Sequence, residues 1–274
     1  MDLWLWLLVA AAGAAGQFLD VVAGMGFGAL SSTLLLAGGV SPVTVVATIS
    51  IAKIGSGLVS GLSHWHAGNV RRDWIWPLLL PAVVGAVAAA LLVAYAPKGA
   101  IRITVPFLLL LMGLLILRRA LSKNIQVPAV AGGSPDAPIP LSARLPVPFA
   151  VPRLPKTLGV SAVGLVGGVM NGLSGAFGPF TTSSLLLIKK GHPRYVVGTV
   201  NFVEFFVALA VAFTLLPQMS KIDIVLPAAL VVGALITSPL GARLAKRLDA
   251  RFLALLIALT LVGLNLWSIA VALT

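Results

Sequence analysis

Ten apolar runs separated by short polar breaks make up most of the chain: Leu3–Val22, Gly28–Ala37, Pro42–His64, Trp74–Tyr95, Ile101–Leu117, Leu158–Ser174, Gly178–Ile188, Pro193–Leu216, Ile222–Gly241 and Phe252–Leu273. Eight of them reach the roughly 17–25 residues that a helix needs to cross the hydrocarbon of a bilayer. Gly28–Ala37 and Gly178–Ile188 are too short. Each short run follows a long one through a glycine-rich break, Gly24-Met25-Gly26-Phe27-Gly28 in one case and Gly175-Ala176-Phe177-Gly178-Pro179 in the other. Backbone in such a break cannot face lipid, because its amides and carbonyls would go unsatisfied; it must be buried in protein or line a cavity. The pattern therefore predicts an all-α, polytopic integral membrane protein. Met1 to Gln17 has the apolar run of a signal peptide, but Met1-Asp2-Leu3 offers no basic leading region, so this segment is read as a retained helix.

The two halves resemble each other at an offset of 151 residues. Ser32 meets Ser183, Leu34-Leu35-Leu36 meet Leu185-Leu186-Leu187, Pro42 meets Pro193, Val45-Val46 meet Val196-Val197 and Thr48 meets Thr199, giving 8 identities over the 22 positions from Ser32 to Lys53. Leucine and valine matches are common by chance, but the glycine break, the proline and the threonine recur in the same order. This predicts a first membrane repeat over residues 1–118, a cytoplasmic linker over 119–156 and a second repeat over 157–274. Each repeat is a broken helical hairpin plus three spanning helices. The linker carries Pro128, Pro135, Pro138, Pro140, Pro146, Pro148, Pro152 and Pro155 without helical periodicity, as a connector does.

Hydrophobic residues make up 59% of the 274 and charged ones 9%, against about a quarter charged in soluble domains. The absence of cysteine excludes thiol chemistry and Cys-based metal sites. The net charge of +12 lies in short clusters between apolar runs, which is the form of a topology signal, so no nucleic-acid partner is expected. With the Arg71-Arg72 loop in the cytoplasm and each long-plus-short pair counted as a hairpin, 15 of the 19 basic residues fall inside and 3 outside, with Lys53 in a span. This places both termini on the periplasmic side of a bacterial inner membrane and makes the halves inverted, an architecture associated with alternating access.

Each short helix begins at a break, near Gly26, Phe27 and Gly28 or near Gly175, Phe177 and Gly178. Helix N-termini carry unpaired N–H groups and partial positive charge, which favour anions. Hydroxyls follow at once, Ser31 and Ser32 in the first half, Thr181 and Thr182 in the second. The alternative reading is tight helix packing through small residues. Lys53 lies midway along its run, where a charge needs a partner or a wet cavity. Its repeat counterpart is Glu204. Lys53 is expected to attract an anionic solute while Glu204 binds a proton or pairs with Lys53; a structural salt bridge is the alternative. Thr48 and Ser50 precede Lys53 as Thr199 and Asn201 precede Glu204, and these polar residues extend the candidate site. Asp20 and Asn171 sit just before the breaks. Asp20 is read either as a second proton carrier or as a helix cap, and Asn171 as a hydrogen-bonding partner of the broken backbone. His64, Trp65, His66, Trp74 and Trp76 read as an interface belt. No nucleotide loop, catalytic triad or zinc motif appears, so no enzyme activity, cofactor or metal is expected.

The glycine hairpins with Ser41-Pro42 and Ala47-Thr48, then with His192-Pro193 and Gly198-Thr199, give the chain a pattern that resembles the TauE/SafE family of sulfite and organosulfonate exporters. The resemblance covers both halves from about residue 8, except the linker. It implies export of a small sulfur-containing anion such as sulfite or a sulfonate; joined to the inverted halves and the Lys53/Glu204 positions, the expectation is a secondary transporter working by alternating access, with proton coupling. An anion channel or an uptake permease for a related anion is the alternative. The expected partners are the solute and the lipid bilayer, with room left for a homodimer.

Overall fold

The computed structural model describes residues 3–23, 26–121, 154–188, 193–219, 227–234, 237 and 250–273. α1 (Leu3–Ala23), α2 (Phe27–Ala37), α3 (Pro42–His66), α4 (Arg72–Tyr95) and α5 (Lys98–Leu121) form the first half. α6 (Leu154–Ser174), α7 (Gly178–Ile188), α8 (Pro193–Thr214), the single-turn α9 (Leu216–Met219) and α10 (Ala250–Leu273) follow, and residues 227–234 are also helical. Among the described residues, five helices are long and apolar enough to cross a membrane: α3, α4, and the parts Gly99–Arg118 of α5, Thr157–Ser174 of α6 and Tyr195–Thr214 of α8. The predicted run Ile222–Gly241 is described only at 227–234 and 237. The predicted linker lies outside the described residues apart from its ends, where α5 runs on to Leu121 and α6 starts at Leu154.

Local chemistry explains where these helices start and stop. Before α3, the Ser41 hydroxyl accepts the Thr44 amide at 3.4 Å and lies 2.8 Å from the Thr44 hydroxyl, an N-cap with Pro42 at the first helical position. Arg71 donates from Nε and Nη2 to Asp73 at 2.9 and 2.7 Å, which pushes the guanidinium pKa up and settles the first turn of α4. The predicted run Pro193–Leu216 divides into α8 and α9 because Pro217 has no N–H to continue the ladder. There Gln218 donates instead to the Leu215 carbonyl at 2.9 Å. Pro77, Pro81 and Pro106 stay inside helices, as neighbouring helices allow in membranes.

The helices meet through glycines. A Cβ at Gly164, Gly168 or Gly172 of α6 would strike the carbonyls of Leu78, Ala82 and Ala86 of α4, so these two backbones lie in direct contact, the close approach that small residues give membrane helices. Gly13 of α1 stands in the same relation to Leu230, and Gly233 to Ala10. α3 packs on α8, α5 on α10, and α2 on both α1 and α10. The Asn265 amide of α10, fully buried, donates to the Thr33 hydroxyl of α2 at 2.9 Å. This arrangement holds the two short helices, α2 and α7, inside the protein, where α2 residues from Phe27 to Thr33 are buried throughout.

Candidate functional site

The break between α6 and α7 turns at Gly175, whose φ of +72 is open to glycine and strained for a side chain. Its amide closes α6 by donating to the Asn171 carbonyl at 2.6 Å, and the Thr181 amide opens α7 on the Phe177 carbonyl at 3.2 Å. The break between α1 and α2 ends at Gly26, whose carbonyl accepts the Leu30 amide at 2.9 Å. The two breaks touch. A Cβ at Gly28 would collide with the Gly175 carbonyl and come within 3.0 Å of Lys53 Nζ. The Ser32 hydroxyl, buried, donates to the Ser174 carbonyl and ties the start of α2 to the end of α6. The small residues of both breaks thus serve one purpose that sequence alone leaves open, a close approach of two backbones beside an ammonium group.

Lys53 comes from the middle of α3 and bonds Glu204 of α8 directly. The two side chains are 8% and 12% exposed, which removes the pair from bulk water and raises the cost of leaving either partner alone. Beside the pair lies a cavity of about 180 Å³. Asp20, Phe27, Lys53, Asn201 and Glu204 all line it. Asp20 also accepts the Phe27 amide at 3.4 Å, so a carboxylate already sits at the positive end of α2.

The other residues singled out in the sequence stand around this cavity rather than in its wall. Ser31 donates to the Ala12 carbonyl at 3.3 Å. Thr48, Ser50 and Thr181 are buried with hydroxyl oxygens that have no partner among the described residues, as is the side-chain oxygen of Asn171. Thr182 is also buried. Thr199 receives the Arg71 amide at 2.8 Å and donates to the Tyr195 carbonyl at 2.6 Å, which fixes the loop before α4 onto α8. Gly26, Gly28, Gly175, Phe177 and Gly178 build the breaks themselves. Buried hydroxyls without partners are costly, and two of them, Thr48 and Ser50, lie on α3, the helix that carries Lys53.

Besides Gly57 and Val197, four polar residues of the cavity wall come from outside the candidate set: Gln17, Ser56, Ser60 and His64. Their signal is helical spacing, because Ser56, Ser60 and His64 lie three, seven and eleven positions after Lys53 and so share its face. His64, read from sequence as part of an interface belt, also sits 3.5 Å from the Asn69 side chain, while its neighbour Trp65 stacks on Phe202 at 5.0 Å and carries the Arg72 guanidinium at 4.9 Å.

The "Probable membrane transporter protein YtnM" of Bacillus subtilis (strain 168) is 28% identical to the chain over 248 residues, 89% of this chain and 76% of that protein. No solved structure matches. The family described as Sulfite exporter TauE/SafE matches residues 8–267, a span that takes in both breaks, Lys53, Glu204 and the whole cavity. An all-helical protein with several membrane-crossing helices, a buried ion pair at two meeting helix breaks and this match over nearly its full length belongs to the sulfite exporter TauE/SafE family of membrane transport proteins.

Proposed function

We propose that the protein is a secondary transporter that exports a small sulfur oxyanion, sulfite or an organosulfonate, by alternating access, and that a proton travels with the anion. The observation that carries this is the Lys53–Glu204 pair in a cavity at the junction of the two helix breaks. While Glu204 is ionised it occupies the ammonium, and an incoming anion must displace it. A proton on Glu204 ends that hold and leaves Lys53 free for the anion. One proton taken up with one monovalent anion keeps the net charge of the pair unchanged, which avoids loading an uncompensated charge into a low-dielectric site. Asp20 is a second carboxylate on the same cavity and a second place for the proton. The unpartnered Thr48 and Ser50 hydroxyls, one turn before Lys53, are proposed to join the site as α3 shifts.

Two further features support inverted repeats. Exchanging the halves at the 151-residue offset turns the α4–α6 contact into the contact of 227–234 with α1, and leaves α3–α8 and α5–α10 as pairs. Gly13 and Gly164, offset by 151, each meet a carbonyl, of Leu230 and Leu78, and Gly16 and Gly167 each meet a hydroxyl, of Ser31 and Thr181, the partners in each case lying one position out of the 151 register. Alternating access would then be the movement of one repeat against the other. The distribution of basic residues supports the cytoplasmic linker and periplasmic termini, in a bacterial inner membrane.

The test is a melting-temperature screen of the purified protein with sulfite, thiosulfate, sulfoacetate, taurine and sulfate. A bound solute stabilises the folded state by mass action. The expected result is a shift with one of the sulfur anions that is absent in Lys53→Gln. For the pH series an organosulfonate is used, since its sulfonate stays ionised throughout. Proton-linked binding strengthens as pH falls, by up to about tenfold per unit, and Glu204→Gln is expected to bind with no such dependence. An unchanged shift in Lys53→Gln overturns the site, and an unchanged pH profile in Glu204→Gln overturns the coupling.

A further inference from the structure

The cavity is one-sided. α3 and α8 run antiparallel: Gly57 faces Phe205, Gly61 faces Phe202 and Gly198 faces Asn69. From Lys53, the face of α3 leads toward the Arg71 loop through Ser56, Ser60 and His64, and all three line the cavity. From Glu204, the matching face of α8 leads toward the opposite end through Val207, Val211 and Leu215. These are the same positions at an offset of 151. All three are fully buried and belong to one apolar cluster with Leu78, Ala82, Ala86 and Ala90 of α4. Equivalent registers thus carry a polar ladder on one side of the ion pair and a dry one on the other.

We infer that the Ser56–Ser60–His64 face is an access subsite through which a small hydrated anion reaches Lys53, and that the Val207–Val211–Leu215 face is the apolar gate that closes the far side. The inference rests on reading Lys53 as the partner of the anion. An anion sheds water only where polar groups replace it. The hydroxyls of Ser56 and Ser60, the ring of His64 and the side chains of Gln17 and Asn201 supply such groups along the wall. The valine and leucine face supplies none, so an anion can pass there only after α8 has parted from α4. The asymmetry is written in side-chain chemistry and not only in the shape of this one conformation. The α3 side therefore stays the wetter route in either state.

The chain contains no cysteine, which gives a clean test. Single variants at the two equivalent pairs, Ser60→Cys with Val211→Cys and Ser56→Cys with Val207→Cys, are reacted in the purified full-length protein with a sulfonate-bearing methanethiosulfonate and with its trimethylammonium analogue. The substitutions change little volume, and the second pair serves if one variant of the first fails to fold. The thiols on α3 are expected to react at least about tenfold faster than those on α8. The sulfonate reagent is expected to be the faster one at Ser60→Cys, with that preference lost when Lys53→Gln is added. Equal or faster reaction on α8 overturns the assignment of route and gate. Fast reaction on α3 with preference for the cationic reagent upholds the route and overturns Lys53 as the anion's partner.

Discussion

At the residue scale, the proposed function rests on one buried charge pair that is expensive to break. Removing one member of a buried pair leaves an uncompensated charge and costs about 3–5 kcal/mol, whereas replacing both with apolar groups is often neutral or stabilising. Lys53→Met and Glu204→Met are each expected to lower unfolding stability in detergent by about that amount. The double variant is expected to recover most of the loss and to bind no anion. Single variants that each cost less than about 1 kcal/mol would mean that the pair is solvated. The sequence exposed both residues, Lys53 because a cation stands out in an apolar run and Glu204 because the repeat aligns it there. It did not expose Ser56, Ser60 and His64, since serine is unremarkable in a membrane helix until its face is fixed by a neighbour. Nor could it say that Asp20 and Phe27 share a hydrogen bond, which depends on how the chain turns between them.

At the scale of elements, the two helix breaks were legible as glycine clusters between a long and a short apolar run, and α2 and α7 start within a residue of the expected places. Ends governed by hydrogen bonds were less legible. α4 begins at Arg72 rather than Trp74 because the Arg71–Asp73 pair sits in its first turn, and α8 stops early because of Pro217. The breaks do their work through close approach. Gly28→Ala is expected to push the two tips apart, since its Cβ meets a backbone carbonyl that has no freedom to move away. Overpacking of this kind costs about 1–3 kcal/mol, and anion-induced stabilisation should disappear with it. Gly55→Ala, two positions past Lys53, is the control. Its Cβ meets nothing within 4 Å, so the substitution should be neutral or stabilise α3 by up to about 1 kcal/mol. Melting curves of both variants with and without a sulfonate decide the matter, and equal behaviour of the two would refute the contact between the tips.

For the whole molecule, hydropathy marked eight spans, five of which are helices long and apolar enough to cross among the described residues, but it did not mark their neighbours. Nothing in an apolar run says that α4 leaves its own half to lie on α6. The clue was the spacing of Gly164, Gly168 and Gly172, which strips one face of α6 down to backbone, and its meaning needs the partner carbonyls of Leu78, Ala82 and Ala86. Sidedness comes from another source, the clustering of basic residues, and it yields a prediction independent of the ion pair. α4, between Arg72 and Lys98, the first residue of α5, is long and apolar enough to carry the chain across the bilayer. Arg72→Cys gives up a stacking contact with Trp65 worth about 0.5–1 kcal/mol, too little to unfold the protein, and the cysteine-free background makes each new thiol the only target. In intact cells a membrane-impermeant maleimide is expected to label the cysteine at Lys98, while the one at Arg72 should react only after the membrane is permeabilised. Labelling of both from one side would mean that α4 does not cross. Labelling with the sides reversed would turn the molecule over, so that the polar face of α3 opened outward, and the wetter route would then serve uptake as readily as export.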